Sequence, residues 1–181
     1  MRISQIGAKP GDEVALTDPK LHNWVYTCMK DGRVLVNHTD SVEGRGYYLM
    51  KPKPNARPVY ERIRCELAEK GYLDRLSLSV DEKKICFEFQ KGFKRKVEGR
   101  VLYLADFDQE RRLISNFKAI ANKDEKPAWF AYPRWTRDQS GIVYHAAKSL
   151  YLYDLKSEET KMVSMDPKGD YRYPHGEGTP K

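Results

Sequence analysis

The stretch Trp135-Thr136-Arg137-Asp138-Gln139-Ser140-Gly141-Ile142-Val143-Tyr144-His145, followed after Ala146-Ala147-Lys148-Ser149 by Leu150-Tyr151-Leu152-Tyr153-Asp154-Leu155, decides the fold. A strand runs into a polar turn opened by an aspartate. An apolar strand leaves that turn, and a second alternating strand follows it. Short runs rich in β-branched and aromatic residues, bounded by turn residues, read as strands. The same order occurs twice upstream. Tyr26-Thr27-Cys28-Met29-Lys30-Asp31 leads into Leu35-Val36-Asn37-His38 and then Tyr47-Tyr48-Leu49-Met50. Leu76-Ser77-Leu78-Ser79-Val80-Asp81 leads into Ile85-Cys86-Phe87-Glu88 and then Leu102-Tyr103-Leu104-Ala105. A fourth, more polar strand closes each repeat: Pro58-Val59-Tyr60, Leu113-Ile114-Ser115 and Met162-Val163-Ser164. The proline fits an outer edge, where no ladder hydrogen bond is lost. The repeat aspartates need no catalytic role, because an aspartate in a turn accepts N–H groups of its own turn.

The repeat aspartates are 50 and then 57 residues apart. A period of this size, with four short strands per repeat, is the signature of propeller blades. The chain is therefore predicted to be all-β, with four-stranded antiparallel blades at residues 24–63, 74–116 and 131–165. Residues 1–21 and 166–181 act as closing segments of one propeller-like domain. Between the first two blades, Glu61 to Gly71 reads as a short helix stopped by Gly71. Tyr171-Arg172-Tyr173-Pro174-His175-Gly176 reads as the inner strand of a fourth blade cut short. Core positions are Leu35, Ile85, Phe87, Leu102, Leu104, Ile142, Tyr144, Leu150 and Leu152.

The repeat resembles the TolB-like, WD40-related propeller family. Trp135-Thr136-Arg137-Asp138 with Gly141-Ile142-Val143-Tyr144, and Leu150-Tyr151-Leu152-Tyr153-Asp154-Leu155, carry the likeness most closely. The second repeat shares it through Leu102-Tyr103-Leu104-Ala105-Asp106. The first departs from it, with Lys51 where the others have aspartate. The resemblance covers residues 24 to about 175 and implies an architecture, with almost nothing about activity.

Composition narrows the classes further. The chain has 181 residues, 40% of them apolar, and a formal net charge of +7. That permits contact with acidic partners without requiring it. No apolar run reaches the roughly 18 residues of a membrane-spanning helix. The N-terminus lacks the apolar core of a signal peptide, which favours the cytoplasm unless a leader has been removed, as for a periplasmic protein. Three cysteines without a C-x-x-C pair argue against a disulfide framework. Cys28 and Cys86 fall in strands, where a cysteine is expected to be a small buried apolar residue.

No motif of nucleotide binding, zinc proteolysis or serine hydrolysis is present. One constellation remains. His38, Glu88 and His145 each follow a repeat aspartate by seven residues, so they occupy one equivalent place at the end of the second strand. Imidazole and carboxylate are ligands for divalent metals such as zinc or manganese. Equivalent places on adjacent blades lie far apart for a single ion, so the alternative is a set of polar rim residues. His22 and Trp24 open the first inner strand on the same rim, and His175 follows the last inner strand. The longest hairpin carries Lys91-Gly92-Phe93-Lys94-Arg95-Lys96 at its tip, four charges around one aromatic. Such a tip can grip an acidic polymer or phosphates, or it can be ordinary solvated surface.

Three functional readings follow. The first is a non-catalytic binding or scaffold propeller that presents a loop-rich rim (His22, Trp24, His38, Glu88, His145, Lys94, Arg95, Lys96) to a protein or acidic partner, with no cofactor. The second is a metal-assisted propeller enzyme acting on acidic carbohydrate, by analogy with oligogalacturonate lyases. The third is a fragment of a larger propeller protein. Strand arithmetic adds an expectation. Three blades and one strand leave open edges, which favours self-association or a partner unless both termini complete the last blade. Sedimentation at rising concentration should then show assembly, and a compact monomer at high concentration would count against it.

Overall fold

A computed structural model of the protein describes residues 2–3, 14–15, 22–39, 45–53, 57–92, 100–120, 130–146 and 149–165. Their fold is all-β, built from antiparallel sheets. The chain divides into two compact units, Met1–Arg64 and Cys65–Lys181.

In the first unit, β1 (Arg2–Ile3) pairs with β2 (Val14–Ala15). The strands β3 (His22–Cys28), β4 (Val34–Thr39), β5 (Gly46–Lys51) and β6 (Val59–Arg62) then form a sheet in chain order. Val34, Val36, Tyr48 and Met50 make one buried cluster, with Val25 and Tyr60 packed against it. Leu35 and Leu49, between those residues, are buried too. The two middle strands are thus covered on both faces, which is why they read as continuous apolar runs rather than strict alternations.

The second unit holds two sheets. At the boundary of the units lies the short strand β7 (Arg64–Cys65), followed by α1 (Glu66–Lys70), β8 (Gly71–Leu78), β9 (Lys84–Lys91), β10 (Arg100–Asp108) and β11 (Leu113–Ala119). The order of that sheet is β7-β11-β10-β9-β8, so β7 is an edge strand beside β11. The other sheet runs β12 (Phe130–Trp135), β13 (Gly141–Ala146), β14 (Ser149–Asp154) and β15 (Thr160–Met165), again in chain order. The helix expected over 61–71 is shorter, because Val59–Arg62 and Arg64–Cys65 are strands. It stops at Gly71 for a steric reason. A Cβ there would lie 2.0 Å from the Gln90 carbonyl oxygen, and Lys70 O accepts the Gly92 N–H at 2.8 Å.

Each repeat aspartate folds its own turn. The N–H two residues on donates to it: Arg33 to Asp31 at 2.9 Å, Lys83 to Asp81 at 3.1 Å, Ser140 to Asp138 at 3.1 Å. The residue just after the aspartate is left-handed in all three, at Gly32 (φ 82), Glu82 (φ 59) and Gln139 (φ 61). Only the first is a glycine, so the other two carry the steric cost of a side chain there. The Thr136 hydroxyl and the Ser140 N–H hold the Asp138 carboxyl down at about 2.

The two sheets of the second unit pack face to face. Cys86 and Leu102 from one meet Trp135, Ile142, Tyr144, Ala146 and Tyr153 from the other, with Ile120 between them. Polar bonds lock the register of the layers. Trp135 Nε1 donates to Ser77 O at 3.0 Å, and the Val80 N–H donates to Gln139 Oε1 at 2.8 Å. Thr160 Oγ1 donates to Ile120 O at 3.2 Å. Of the expected core positions, Leu35, Ile85, Phe87, Leu102, Ile142 and Tyr144 are fully buried. Leu104, Leu150 and Leu152 are half-buried. Cys86 is buried as expected, whereas Cys28 is exposed at the end of β3, and the third cysteine, Cys65, is buried.

One departure from the repeat shows in β10. Register places Asp106 opposite Lys84 and Asp154 opposite Gly141, equivalent positions three residues after the repeat aspartates. Asp154 caps its corner by accepting the N–H groups of Lys156 and Ser157. Asp106 instead bonds Lys84 and Asn116, β10 continues two residues further, and Asp108 accepts the Arg111 N–H at the corner.

Ile142 is at the centre of the shared core. Ile142→Ala should cost about 2–5 kcal/mol through lost transfer energy and a residual cavity. Urea denaturation measures it, and a loss under about 1 kcal/mol would mean that the two sheets do not share this core.

A buried carboxylate between two arginines as candidate functional site

The repeat position seven residues after the aspartate is the fifth residue of β4, β9 and β13. It holds His38, Glu88 and His145, and their surroundings differ.

Along β9, side chains alternate between faces. Cys86 belongs to the core shared with the third sheet, so Glu88, two residues on, lies on that same face. It is 1% exposed. Two guanidiniums converge on one of its oxygens. Arg75 Nη1 donates to Glu88 Oε2 at 2.6 Å and Arg100 Nη1 at 2.9 Å. Oε1 is buried and accepts no hydrogen bond among the described residues. Burial pushes the Glu88 carboxyl up to about 7, against the pull of Arg75 and Arg100. Two nearby positive charges weaken that rise without reversing it, because a buried carboxylate gives up most of its hydration.

Irregular backbone places these groups. The register of β8 shifts between Asp74 and Ser77, and Arg75 inside that bulge is left-handed (φ 53). The Asp74 carboxylate accepts the Arg75 N–H at 2.9 Å, which supports the turn of the chain there. The bulge re-aims Arg75 toward Glu88, a common use of bulges. A matching bulge lies in β12 between Ala131 and Arg134, with Tyr132 left-handed (φ 54) just before Pro133. The Arg75 guanidinium lies over the Tyr132 ring, 4.4 Å from its centroid. Two non-glycine residues in a disfavoured conformation, each costing roughly 1–3 kcal/mol, thus meet at one ion pair. β3 also shifts register at this level, between Val25 and Thr27.

No family model matches the chain, and no curated protein matches its sequence.

The other residues assigned to the rim are distributed as follows. His38 is fully buried in the first unit, stacked on Tyr60 at 4.0 Å between ring centroids and edge-on to Tyr48 at 5.8 Å. It is part of an aromatic core rather than a solvent-facing ligand. His145 is half-buried on β13 opposite Leu150. Trp24 is 67% exposed on β3, and the backbone of His22 pairs with Thr39. Lys94, Arg95, Lys96 and His175 lie outside the described residues. Among the described residues no group of three or more His, Cys, Asp or Glu side chains could hold a metal ion.

Sequence reasoning overlooked Arg75, Arg100 and Tyr132. A signal for two of them existed. Arg75 and Tyr132 each precede a repeat aspartate by six residues, and Asp74-Arg75 is a charged pair flanked by Leu73 and Leu76 inside a strand.

The raised Glu88 carboxyl gives a signed prediction. Unfolded, a glutamate loses its proton near 4.3, while folded Glu88 keeps it to about 7. Between those values the native state holds a proton that the unfolded chain releases. The contribution of Glu88 to stability is therefore fully present below about pH 4 and is lost as pH rises to about 7. Glu88→Gln should remove this loss. Relative to the variant, the wild type should lose on the order of 2–3 kcal/mol between about pH 4.5 and 7.5. Parallel pH profiles for the two proteins in urea would refute the shift.

Proposed function

We propose that this chain is a non-catalytic binding module of the TolB-like propeller kind, whose sheets are rigid blades that hold loops for an acidic partner. The observation that carries the reading is the use made of the ionisable residues at the repeat position. Glu88 is neutralised in place by Arg75 and Arg100, and His38 is stacked within an aromatic cluster. Groups engaged in this way hold a scaffold together and leave recognition to the loops, where function concentrates on a rigid frame.

The repeated sheets support the propeller part of this reading. Three successive four-strand meanders share one aspartate turn, and in the second unit one sheet covers the next. The loop between β9 and β10 supports the acidic-partner part. Gln90 pairs with Arg100 at its base and Lys91 is exposed there, and the sequence between them carries Lys94, Arg95 and Lys96. A cationic sequence held between two paired strands is suited to a polyanion or to an acidic protein surface.

Binding of heparin and of polygalacturonate, measured over a range of salt concentrations, tests this. Replacing Lys94, Arg95 and Lys96 together by glutamine should weaken binding and reduce the slope of log K against log salt by up to about three. Retention unchanged by the triple substitution would eliminate the hairpin as the binding element. Appearance of unsaturated sugar ends on incubation with polygalacturonate would overturn the non-catalytic reading.

A further inference from the structure

The layer between the second and third sheets is held differently along its length. Toward the aspartate turns, Trp135 Nε1 donates to Ser77 O and the Val80 N–H to Gln139 Oε1. At the level of Glu88 the two facing strands are irregular instead. β8 and β12 both shift register there, and Arg75 and Tyr132 are both left-handed. A bulge interrupts the ladder, and strained residues persist only where their surroundings hold them. One chain of contacts crosses the layer at this level. Glu88 Oε2 accepts from Arg75 at 2.6 Å, and the Arg75 guanidinium lies over the Tyr132 ring.

Glu88 enters this chain through one oxygen. Arg75 and Arg100 both donate to Oε2, while Oε1 is buried and accepts no hydrogen bond among the described residues. An ionised carboxylate shares its charge between both oxygens, so part of that charge sits on Oε1 without a donor. A proton on Oε1 removes it and leaves Oε2 to the two guanidiniums. The neighbouring charges pull both ways, since Arg75 and Arg100 favour ionisation and Asp74 opposes it. On the covering sheet, Tyr132 meets Arg75, Arg134 lies near enough to act on the Cys86 thiol, and Tyr144 lines the core beside Cys86. Burial outweighs the arginines, so the carboxyl keeps its proton to about 7.

We infer that the seam between β8 and β12 is a pH-operated latch, closed while Glu88 is protonated and opening locally at the Arg75–Tyr132 contact when Glu88 ionises. Opening lets water reach the carboxylate. It stops short of unfolding, because the Trp135 and Val80 bonds and the apolar core around Ile142 hold the rest of the layer. In the open form Glu88 loses its proton near 4.3. The open form therefore gains population as pH rises from about 4 to about 7, and gains no more above that. The seam is tight in mild acid and loose at neutral pH and above.

Amide hydrogen exchange of the full chain in low, non-denaturing urea reads the latch, with rates corrected for the intrinsic effect of pH. At pH 8 the amides of β8 and β12 should exchange through an opening about tenfold or more frequent than that of β13 and β14. Low urea should barely change it, the sign of a local opening. At pH 5 the protection of β8 and β12 should be about 30- to 100-fold higher. Glu88→Gln should give equal protection at both pH values, and a fall matching that of the wild type would overturn the latch. One opening frequency and one urea slope for all four strands at pH 8 would overturn it too, because Glu88 would then act only on unfolding of the whole. That comparison needs no variant, so it decides the matter even if Glu88→Gln does not fold. Tyr132→Leu should raise the opening frequency of β8 already at pH 5, and an unchanged frequency would refute the place given to the Arg75–Tyr132 contact. None of these readouts involves a polyanion, so the latch and the proposed function can fail separately.

Discussion

A sheet whose middle strands are apolar on both faces cannot stand alone in water. Val34-Leu35-Val36 on β4 and the whole run from Ile85 to Gln90 on β9 are buried without a break. Every other residue of such a strand projects to the opposite face, so both faces need cover. Other features of the second unit follow from this demand. The core shared by Cys86, Leu102, Trp135 and Ile142 meets it on one side of the second sheet. The polar bonds from Trp135 to Ser77 and from Val80 to Gln139 fix how the covering layer is aligned. Burying a full apolar side chain contributes about 1.5–3 kcal/mol and a net hydrogen bond about 1 kcal/mol. Packing therefore supplies the larger part of the cohesion, and the polar bonds select among alignments of similar burial.

The cost of this arrangement collects where β8 and β12 depart from regular pairing. Arg75 and Tyr132 are both left-handed, both lie in bulges, and they stack on each other. A regular strand would alternate these side chains strictly between faces. The bulge lets Arg75 reach the buried Glu88 carboxylate beside Arg100, so that two guanidiniums meet one oxygen. Truncating one partner of a buried ion pair usually costs more than the pair contributes, so Glu88, Arg75 and Arg100 stand or fall together.

The local parts of the fold were legible in the sequence, and the parts set by tertiary context were not. The aspartate turns depend on a few consecutive residues, and their hydrogen bonds follow from counting. The strands follow from runs of apolar and aromatic residues. The bulges at Asp74/Ser77 and Ala131/Arg134 leave little trace, because a bulge is a relation between two strands. Counting placed His38, Glu88 and His145 at equivalent positions, yet it could not tell which would be buried. Cys28 and Cys86 make the same point. Both are strand cysteines, but one ends β3 in solvent and the other sits in a layered core. β10 runs two residues past the position where β14 ends, so the corner cap at Asp108 in place of Asp106 was equally hidden.

The bond from the Val80 N–H to Gln139 Oε1 has a consequence for how this molecule can change over generations. It ties the aspartate turn of one sheet to the aspartate turn of the next, so lengthening either loop by a residue would pull the donor away from its acceptor. Drift in length is expected to be suppressed at that end of the layers. At the opposite end, the loop between Lys91 and Arg100 already differs from the one between Ala146 and Ser149 by several residues. Evolution has a stitched margin and an open one, and new specificities would be grafted onto the open one.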